Sequence, residues 1–335
     1  MVIISSYSLA IILCFVTMLC WGSWANTQKL ATKSWPFTLF YWDYCIGIVL
    51  LSLLFGLSLG SIGEVGRSFL SDLAQGSGDA YTSAIIGGII FNIANLLLVA
   101  AIDIAGMAVA FPIGIGLALV LGVFDNFRSN PSAYDPMLLF GGVGLVAMAI
   151  ILNAVAYRRL PGGKNGGSTK GIMLSIAAGI LMGFFYGFVA DSMDTTNFAS
   201  PAVGKFTPYS AVFVFSIGIL LSSFLWNTYF MYRPVSGNKA SYKDYFIKGD
   251  TRLHLIGILG GMIWCVGMSF SIIAAEQAGP AISYGLGQGA TMVAAAWGVF
   301  VWKEFADAPK GTNRLIGLMF IAFIMGLALI IVARI

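Results

Sequence analysis

One stretch of the chain occurs twice. Ile85 to Gly116, IIGGIIFNIANLLLVAAIDIAGMAVAFPIGIG, returns without a gap as Ile258 to Gly289, ILGGMIWCVGMSFSIIAAEQAGPAISYGLGQG, with 10 identities in 32 positions at a constant offset of 173. The agreement falls where side chains cannot be exchanged freely: Gly87 with Gly260, Gly88 with Gly261, Gly106 with Gly279, Gly114 with Gly287 and Gly116 with Gly289. Asp103 meets Glu276, Phe91 meets Trp264, and Phe111 meets Tyr284. Small residues in an apolar helix let backbones approach closely, and carboxylates close to lipid are costly. Two helices and their hinge are therefore repeated, and the pair is expected to line a pathway.

With 59% hydrophobic and 10% charged residues, the chain lacks the surface of a soluble domain. A spanning helix takes ~20 apolar residues, and the apolar runs give ten of them. They are Tyr7 to Ala25, Phe37 to Leu59, Ser83 to Ile102, Ala105 to Phe124 and Met137 to Tyr157, then Gly171 to Ala190, Tyr209 to Tyr229, Leu253 to Ala275, Ala281 to Trp302 and Leu315 to Ala333. With no basic n-region or small-residue cleavage site, the first span is expected to stay as a helix. A Gly-rich basic linker, Arg158 to Lys170, joins the halves.

Loops after the odd-numbered spans hold 14 of the 18 Lys and Arg residues, so the positive-inside rule turns both termini away from the cytoplasm. Because five spans separate the copies, the second half enters the membrane upside down relative to the first. The repeat extends outward: Ile46 to Leu50 aligns with Ile217 to Leu221, and Ile11, Leu13 and Gly22 align with Ile172, Leu174 and Gly183. The expected fold is an all-α membrane protein of ten transmembrane helices in two inverted five-helix repeats, 1–157 and 171–335, joined by 158–170. A multi-pass protein of a bacterial inner (plasma) membrane, monomeric or homodimeric, fits this reading.

Several functions are disfavoured. The basic residues lie in loops and form no nucleic-acid-binding domain. Cys14, Cys20, Cys45 and Cys265 fall inside apolar runs and suggest neither a disulfide framework nor a metal site. His254 stands alone where an apolar helix begins, a position suited to the membrane interface. The linker lacks the GxxxxGK[ST] order of a phosphate loop, and no catalytic triad, metal-ligand spacing or nucleophile elbow is present. Neither an enzyme nor a cofactor is expected.

Three clusters interrupt the apolar pattern. In CWGSWANTQK, Trp21 and Trp24 share a helix face that Ala25 and Gln28 continue, a wall suited to a flat or ring-shaped polar solute. An interfacial aromatic belt is the alternative, with more weight for Trp35 and Trp42 than for Trp21 and Trp24. In FYWDY, Asp43 lies inside a span, where a charged carboxylate costs ~2.5 to 3.5 kcal/mol. Asp43 is either a proton carrier or half of a structural ion pair with Lys29. The third cluster is Asn92 and Asn95 at i, i+3, with Tyr284, Gln288 and Thr291 at i, i+4, i+7. These residues either converge on a solute or make hydrogen bonds between helices. Phe111-Pro112 and Gly285-Leu286-Gly287 occupy equivalent places, where Pro and Gly can break a helix and free backbone groups. Asp103 and Glu276 read as hinge or cap residues, with coupling as the other role for Glu276.

The duplicated pair, AGPAISYGLGQG and WGVFVWKEF of span nine, WGSW of span one and WDY of span two resemble the drug/metabolite transporter superfamily. Within it the resemblance is to the ureide permease family and the related glucose/rhamnose-type sugar transporters. It covers about Leu9 to Val332. It implies ten helices, outward termini and proton-coupled uptake of small polar solutes such as allantoin, uracil or monosaccharides. The short linker departs from the long central loop of ureide permeases and lacks their proposed nucleotide-binding motif. The combined expectation is a secondary active importer of a small neutral polar metabolite, coupled to a proton or another cation. Its solute would lie among Trp21, Trp24, Asn92, Asn95, Phe111, Tyr284 and Gln288, with Asp43 and Glu276 as coupling residues. A multidrug-type exporter of hydrophobic cations is the alternative within transport; a channel or membrane sensor is the alternative outside it.

Overall fold

The computed structural model describes residues 1–31, 35–105, 107–160, 169–235 and 238–334, with the side chains of Asp103, Met107 and Ala108 outside the description. Lys33, Gly106, the Asp103 side chain and most of the Arg158–Lys170 linker therefore lie outside the described residues.

Proline and short polar residues punctuate the helices. Ser6 starts α1 (Tyr7–Ser23), Asp135 caps α7 (Pro136–Arg158) through the Met137 and Leu138 N–H groups, and Asp250 caps α11 (Thr251–Ala278) through Leu253. Each cap satisfies N–H groups that the first helical turn leaves free. α1 continues with a bend at Trp24 into α2 (Ala25–Leu30). The other elements are α3 (Phe37–Leu57), α4 (Phe69–Gln75), α5 (Gly78–Ala105), α6 (Met107–Ser129), α8 (Thr169–Asp191), α9 (Pro208–Tyr232), α10 (Tyr242–Lys248), α12 (Pro280–Gly287), α13 (Ala290–Ala296) and α14 (Thr312–Val332).

Among the described residues, nine helices are long and apolar enough to cross a membrane. They coincide with nine of the ten expected spans. The remaining one, Ala281 to Trp302, is divided into α12, α13 and a π-helical turn at Trp297–Val301. At the break, Gly289 N–H bonds the Leu286 carbonyl and Met292 N–H bonds the Gly289 carbonyl, an overwound turn of i to i+3 bonds. The matching break expected at Phe111-Pro112 does not occur, and α6 runs through Pro112. One proline near a helix start removes a single ladder bond, whereas three glycines in 285–289 remove the side chains that hold a helix in register.

Large apolar residues face outward in stripes: Ile12, Phe15 and Leu19 on α1, Met173, Ile176, Ile180 and Phe184 on α8, and Leu318, Ile321 and Ile324 on α14. Such surfaces suit lipid rather than water. This is an integral, multi-pass membrane protein.

Inside, α5 packs between α8 and α9, as α11 packs between α1 and α3. α6 lies on α8, α7 and α12, and α7 pairs with α14. The contacts repeat in register. A Cβ on Gly88 would strike the Phe215 carbonyl, and one on Gly261 the Tyr44 carbonyl. A Cβ on Gly47 would strike the Ile258 carbonyl, and one on Gly218 the Ile85 carbonyl. Between α3 and α9, Cys45 Sγ meets Ser223 Oγ at 3.4 Å while Ser52 Oγ meets Ser216 Oγ at 2.9 Å.

Both termini lie at one end of the bundle. Val2 N–H bonds the Leu59 carbonyl and Asp135 N–H bonds the Ala333 carbonyl, each at 2.8 Å. This terminal end carries the 58–77, 130–135 and 192–207 connections. Lys29, Arg158, Arg233 and Lys303 mark the opposite, basic end.

Candidate solute cavity and buried carboxylate

Where α1, α5, α6, α8, α11 and the α12–α13 break converge, they enclose a cavity of about 160 Å³. One wall is aromatic. Trp21 and Trp264 stack with centroids 5.9 Å apart and planes within 13°, and Phe91 lies 4.4 Å from Trp264. Trp21 Nε1 donates to the Trp264 carbonyl at 3.2 Å, fixing the wall's orientation. Trp24, Phe111, Asn95 and Gln288 complete the lining.

Asn95 Nδ2 donates to the Tyr41 hydroxyl at 3.3 Å, which turns its carbonyl oxygen to other partners. Thr291 Oγ1 donates to the Gln288 backbone carbonyl at 3.0 Å across the helix break. Among the described residues, no Asp, Glu, Lys, Arg or His lines this inner space. It offers ring faces and carboxamides without a fixed charge, a chemistry for a small neutral solute, and its size is below that of drug-binding pockets.

The inner space shares Trp24, Asn95, Phe111 and Thr291 with an outer cavity of about 320 Å³ that reaches the basic end. Its rim is polar. Lys29 Nζ lies 2.7 Å from Glu304 Oε1 and 4.2 Å from the centre of the Trp302 ring. Tyr157 donates to Glu304 Oε2 at 2.8 Å, and Trp302 Nε1 donates to Asn26 Oδ1 at 2.6 Å.

Five of the seven residues expected around a solute thus come together: Trp21, Trp24, Asn95, Phe111 and Gln288. Asn92 and Tyr284 do not. Asn92 Oδ1 accepts from Tyr41 at 2.9 Å and its Nδ2 donates to Ser222 at 2.8 Å. Tyr284 donates to the Met182 carbonyl at 2.9 Å, and both side chains are fully buried. Their hydrogen bonds are made between helices, and neither lines the cavity.

Asp43 also lies away from the cavity lining. It is buried on α3 near the basic end, with His254 Nδ1 3.0 Å from both carboxylate oxygens and the Tyr245 hydroxyl donating to Oδ1. Trp35 meets the His254 ring edge-on at 5.4 Å. Burial, and then the neighbouring Asp43 carboxylate, push the Tyr245 phenol well above its usual range. The alternative partner Lys29 is held by Glu304 instead, and His254, expected as a solitary interfacial residue, is the partner of Asp43. Asp43 connects to the cavity through the next residue: the Tyr44 ring lies 4.8 Å from Trp24 and 6.4 Å from Trp264.

Glu276 stands at the terminal end and accepts the Phe198 N–H at 2.7 Å, anchoring the 192–207 connection, outside the cavity lining. Trp264, Phe91, His254 and Tyr245 belong to these sites but lie outside the residues that the sequence marks for them. For the first two, the Phe91/Trp264 match in the repeat was an available signal. For the last two, the pairing spans more than 200 residues and no local pattern carries it.

The family model described as ureide permease matches residues 40–160 and 164–333. Ureide permease 4 and ureide permease 1 of Arabidopsis thaliana are each 22% identical, with 98% of both chains covered. A Streptococcus pyogenes serotype M1 protein named for sugar uptake is 24% identical over 75% of this chain and 78% of its own. A crystal structure superposes with a TM-score of 0.61 over 97% of this chain and 96% of its own at 16% identity, which shows the fold.

Proposed function

We infer that the chain, which belongs to the ureide permease family, is a secondary active transporter that imports a small neutral polar solute of the ureide type together with a proton. One observation carries this reading: the uncharged cavity of stacked tryptophans and carboxamides where both copies of the repeat meet. A planar ring bearing amide groups can stack on Trp21 and Trp264 and exchange hydrogen bonds with Asn95 and Gln288. Membership of the family and the permease names of the relatives support the transport class.

Alternating access follows from treating 1–157 and 171–335 as two inverted five-helix units joined by 158–170. The register of the glycine contacts supports it, since Gly47 on Ile258 and Gly218 on Ile85 are the same contact made twice. The broken α12–α13 segment then serves as the tenth span. With the basic end cytoplasmic by the positive-inside rule, both termini lie outside and the cavity opens inward.

Asp43 carries the proton in this scheme, sharing it with His254 and Tyr245 beside the cavity rather than in it. A proton crossing 100 mV supplies ~2.3 kcal/mol, enough for roughly fifty-fold accumulation of a neutral solute. The exporter of hydrophobic cations is disfavoured, because it would place an accessible carboxylate in the inner cavity, where the described residues supply none. In proteoliposomes with an imposed pH gradient, Asp43→Asn is expected to abolish uphill allantoin accumulation while keeping counterflow exchange. Full proton-driven accumulation by that variant overturns the coupling assignment. Unaltered transport by Gln288→Leu overturns the solute site.

A further inference from the structure

α8 and α9 both pack along α5 yet scarcely touch each other. They come close to α5 at Gly87 and Gly88, where a Cβ would press on the Phe185 and Phe215 carbonyls, and α8 comes close again at Gly171, against Ala105. Further toward the basic end α5 presents Ile93 and Leu97 instead, and beside these larger side chains a wedge opens between α8 and α9. The wedge between them holds about 520 Å³. Ile93 and Leu97 form its floor, Leu174 and Trp226 line its sides, and Lys170 and Arg233 stand in its lining at the helix ends. Trp226 and Phe230 lie at i and i+4 on one face of α9, and Arg233 follows at its C-terminal end.

The other half of the molecule provides an internal control. In the register that pairs Ile11 with Ile172 and Ile46 with Ile217, Lys170 corresponds to Leu9 and Arg233 to Ile62. Leu97 corresponds to Phe270, whose ring stacks on Phe55 at 6.3 Å and 9°. The twin of the wedge is therefore filled and uncharged. Helix packing does not demand an open slot here, nor two cations at its head.

We propose that this wedge binds one anionic phospholipid from the leaflet at the basic end, with its phosphate between Lys170 and Arg233 and an acyl chain along Ile93, Leu97 and Leu174. Charge complementarity selects the headgroup: basic residues at a membrane surface attract anionic lipid, and this pair heads an apolar slot. The slot selects a lipid over a free phosphate.

The test uses the full chain, purified and examined by native mass spectrometry with dioleoyl phosphatidylglycerol or dioleoyl phosphatidylcholine as probe. One phosphatidylglycerol per chain is expected to survive activation that strips phosphatidylcholine, and to raise the melting temperature where inorganic phosphate does not. Lys170→Gln with Arg233→Gln is expected to weaken retention at least about tenfold, with unchanged melting in phosphatidylcholine. Leu97→Trp, which fills the slot and leaves both charges, is expected to lose the lipid as well. Equal retention of the two lipids by the native chain overturns the proposal, even if a variant fails to fold. Retention by Leu97→Trp, or protection by inorganic phosphate, reduces the site to a surface cation pair and overturns it too.

Discussion

The two ends of the bundle are held by different physics. At the terminal end, Arg67 Nε lies 2.8 Å from Asp72 Oδ1, and Asp72 has no exposed side-chain surface. Arg67 also donates to the Pro201 and Lys205 carbonyls, Asp72 Oδ2 accepts the Thr207 N–H at 2.7 Å, and Gln75 Oε1 accepts the Gly204 N–H at 2.7 Å. This network stitches the 58–77 connection to the 192–207 connection. At the basic end, the Lys29–Glu304 pair is 45% and 30% exposed and spans the rim of an open cavity. Exposed pairs contribute ~0 to 1 kcal/mol, whereas stripping one partner from a buried, hydrogen-bonded pair costs ~3 to 5 kcal/mol. The end that is sealed is thus also the end that is costly to open. Under the alternating-access cycle inferred above, opening the terminal side would break the Arg67–Asp72 network, and solute and proton binding would have to meet that cost.

The largest effect is expected from Arg67→Met. The Asp72 carboxylate would stay buried beside Thr207 and Gln75 without its cation, at ~3 to 5 kcal/mol. Thermal unfolding should show a large drop, with faster hydrogen exchange in 198–207. Adding Asp72→Leu should recover part of the loss, leaving the Thr207 N–H without its acceptor. If Arg67→Met melts like the native protein, the terminal end is no tighter than the basic one and the contrast fails.

Lys29→Gln sharpens the contrast from the other side. The rim keeps the bonds of Tyr157 to Glu304 and Trp302 to Asn26, so stability should fall by no more than about 1 kcal/mol. Reactivity of a cysteine placed at Ala294, which lines both cavities, reports whether the mouth stays open. A loss as large as that of Arg67→Met would show that the rim pair holds the structure.

What could be read in the sequence follows the same division between local pattern and distant pairing. The helices were legible because apolar runs of membrane length are local, and the glycine register was legible because duplication copies contacts as well as residues. Five cavity residues were legible because tryptophans and carboxamides on single helix faces stand out in apolar runs. Asn92 and Tyr284 carry the same signature, and only their bonds to Ser222 and the Met182 carbonyl, with their absence from the cavity lining, separate them from Asn95 and Gln288. The partner of Asp43 was not legible, since Lys29 lies nearer in the chain than His254 and packing decides between them. The Arg67–Asp72 network lies in a polar connection with no periodicity to mark it.

Acid offers the smallest effect and the finest division between the ends. At the terminal end, burial pushes the Asp194 carboxyl up, but the Thr196 hydroxyl at 2.6 Å and the Ala202 and Thr196 N–H groups outweigh it and hold the group below its usual range. At the basic end, Lys248 and Ser241 hold Asp244 down to about 2. Both folded values are depressed, so each contribution is complete above the unfolded value of 3.8 and is lost as pH falls through the folded one. Hydrogen exchange corrected for intrinsic rates should therefore show 194–202 and 242–248 unchanged between pH 7 and 5, both loosening only below the usual aspartate range. Asp194→Asn should remove the acid response from 194–202 alone. Since α10 carries the Tyr245 hydroxyl onto Asp43, loosening of 242–248 should also uncover that carboxylate, while leaving the Arg67–Asp72 side closed. Loosening of either segment above pH 5 would mean that other groups control the connections, and that the ends differ in acidity as well as in burial.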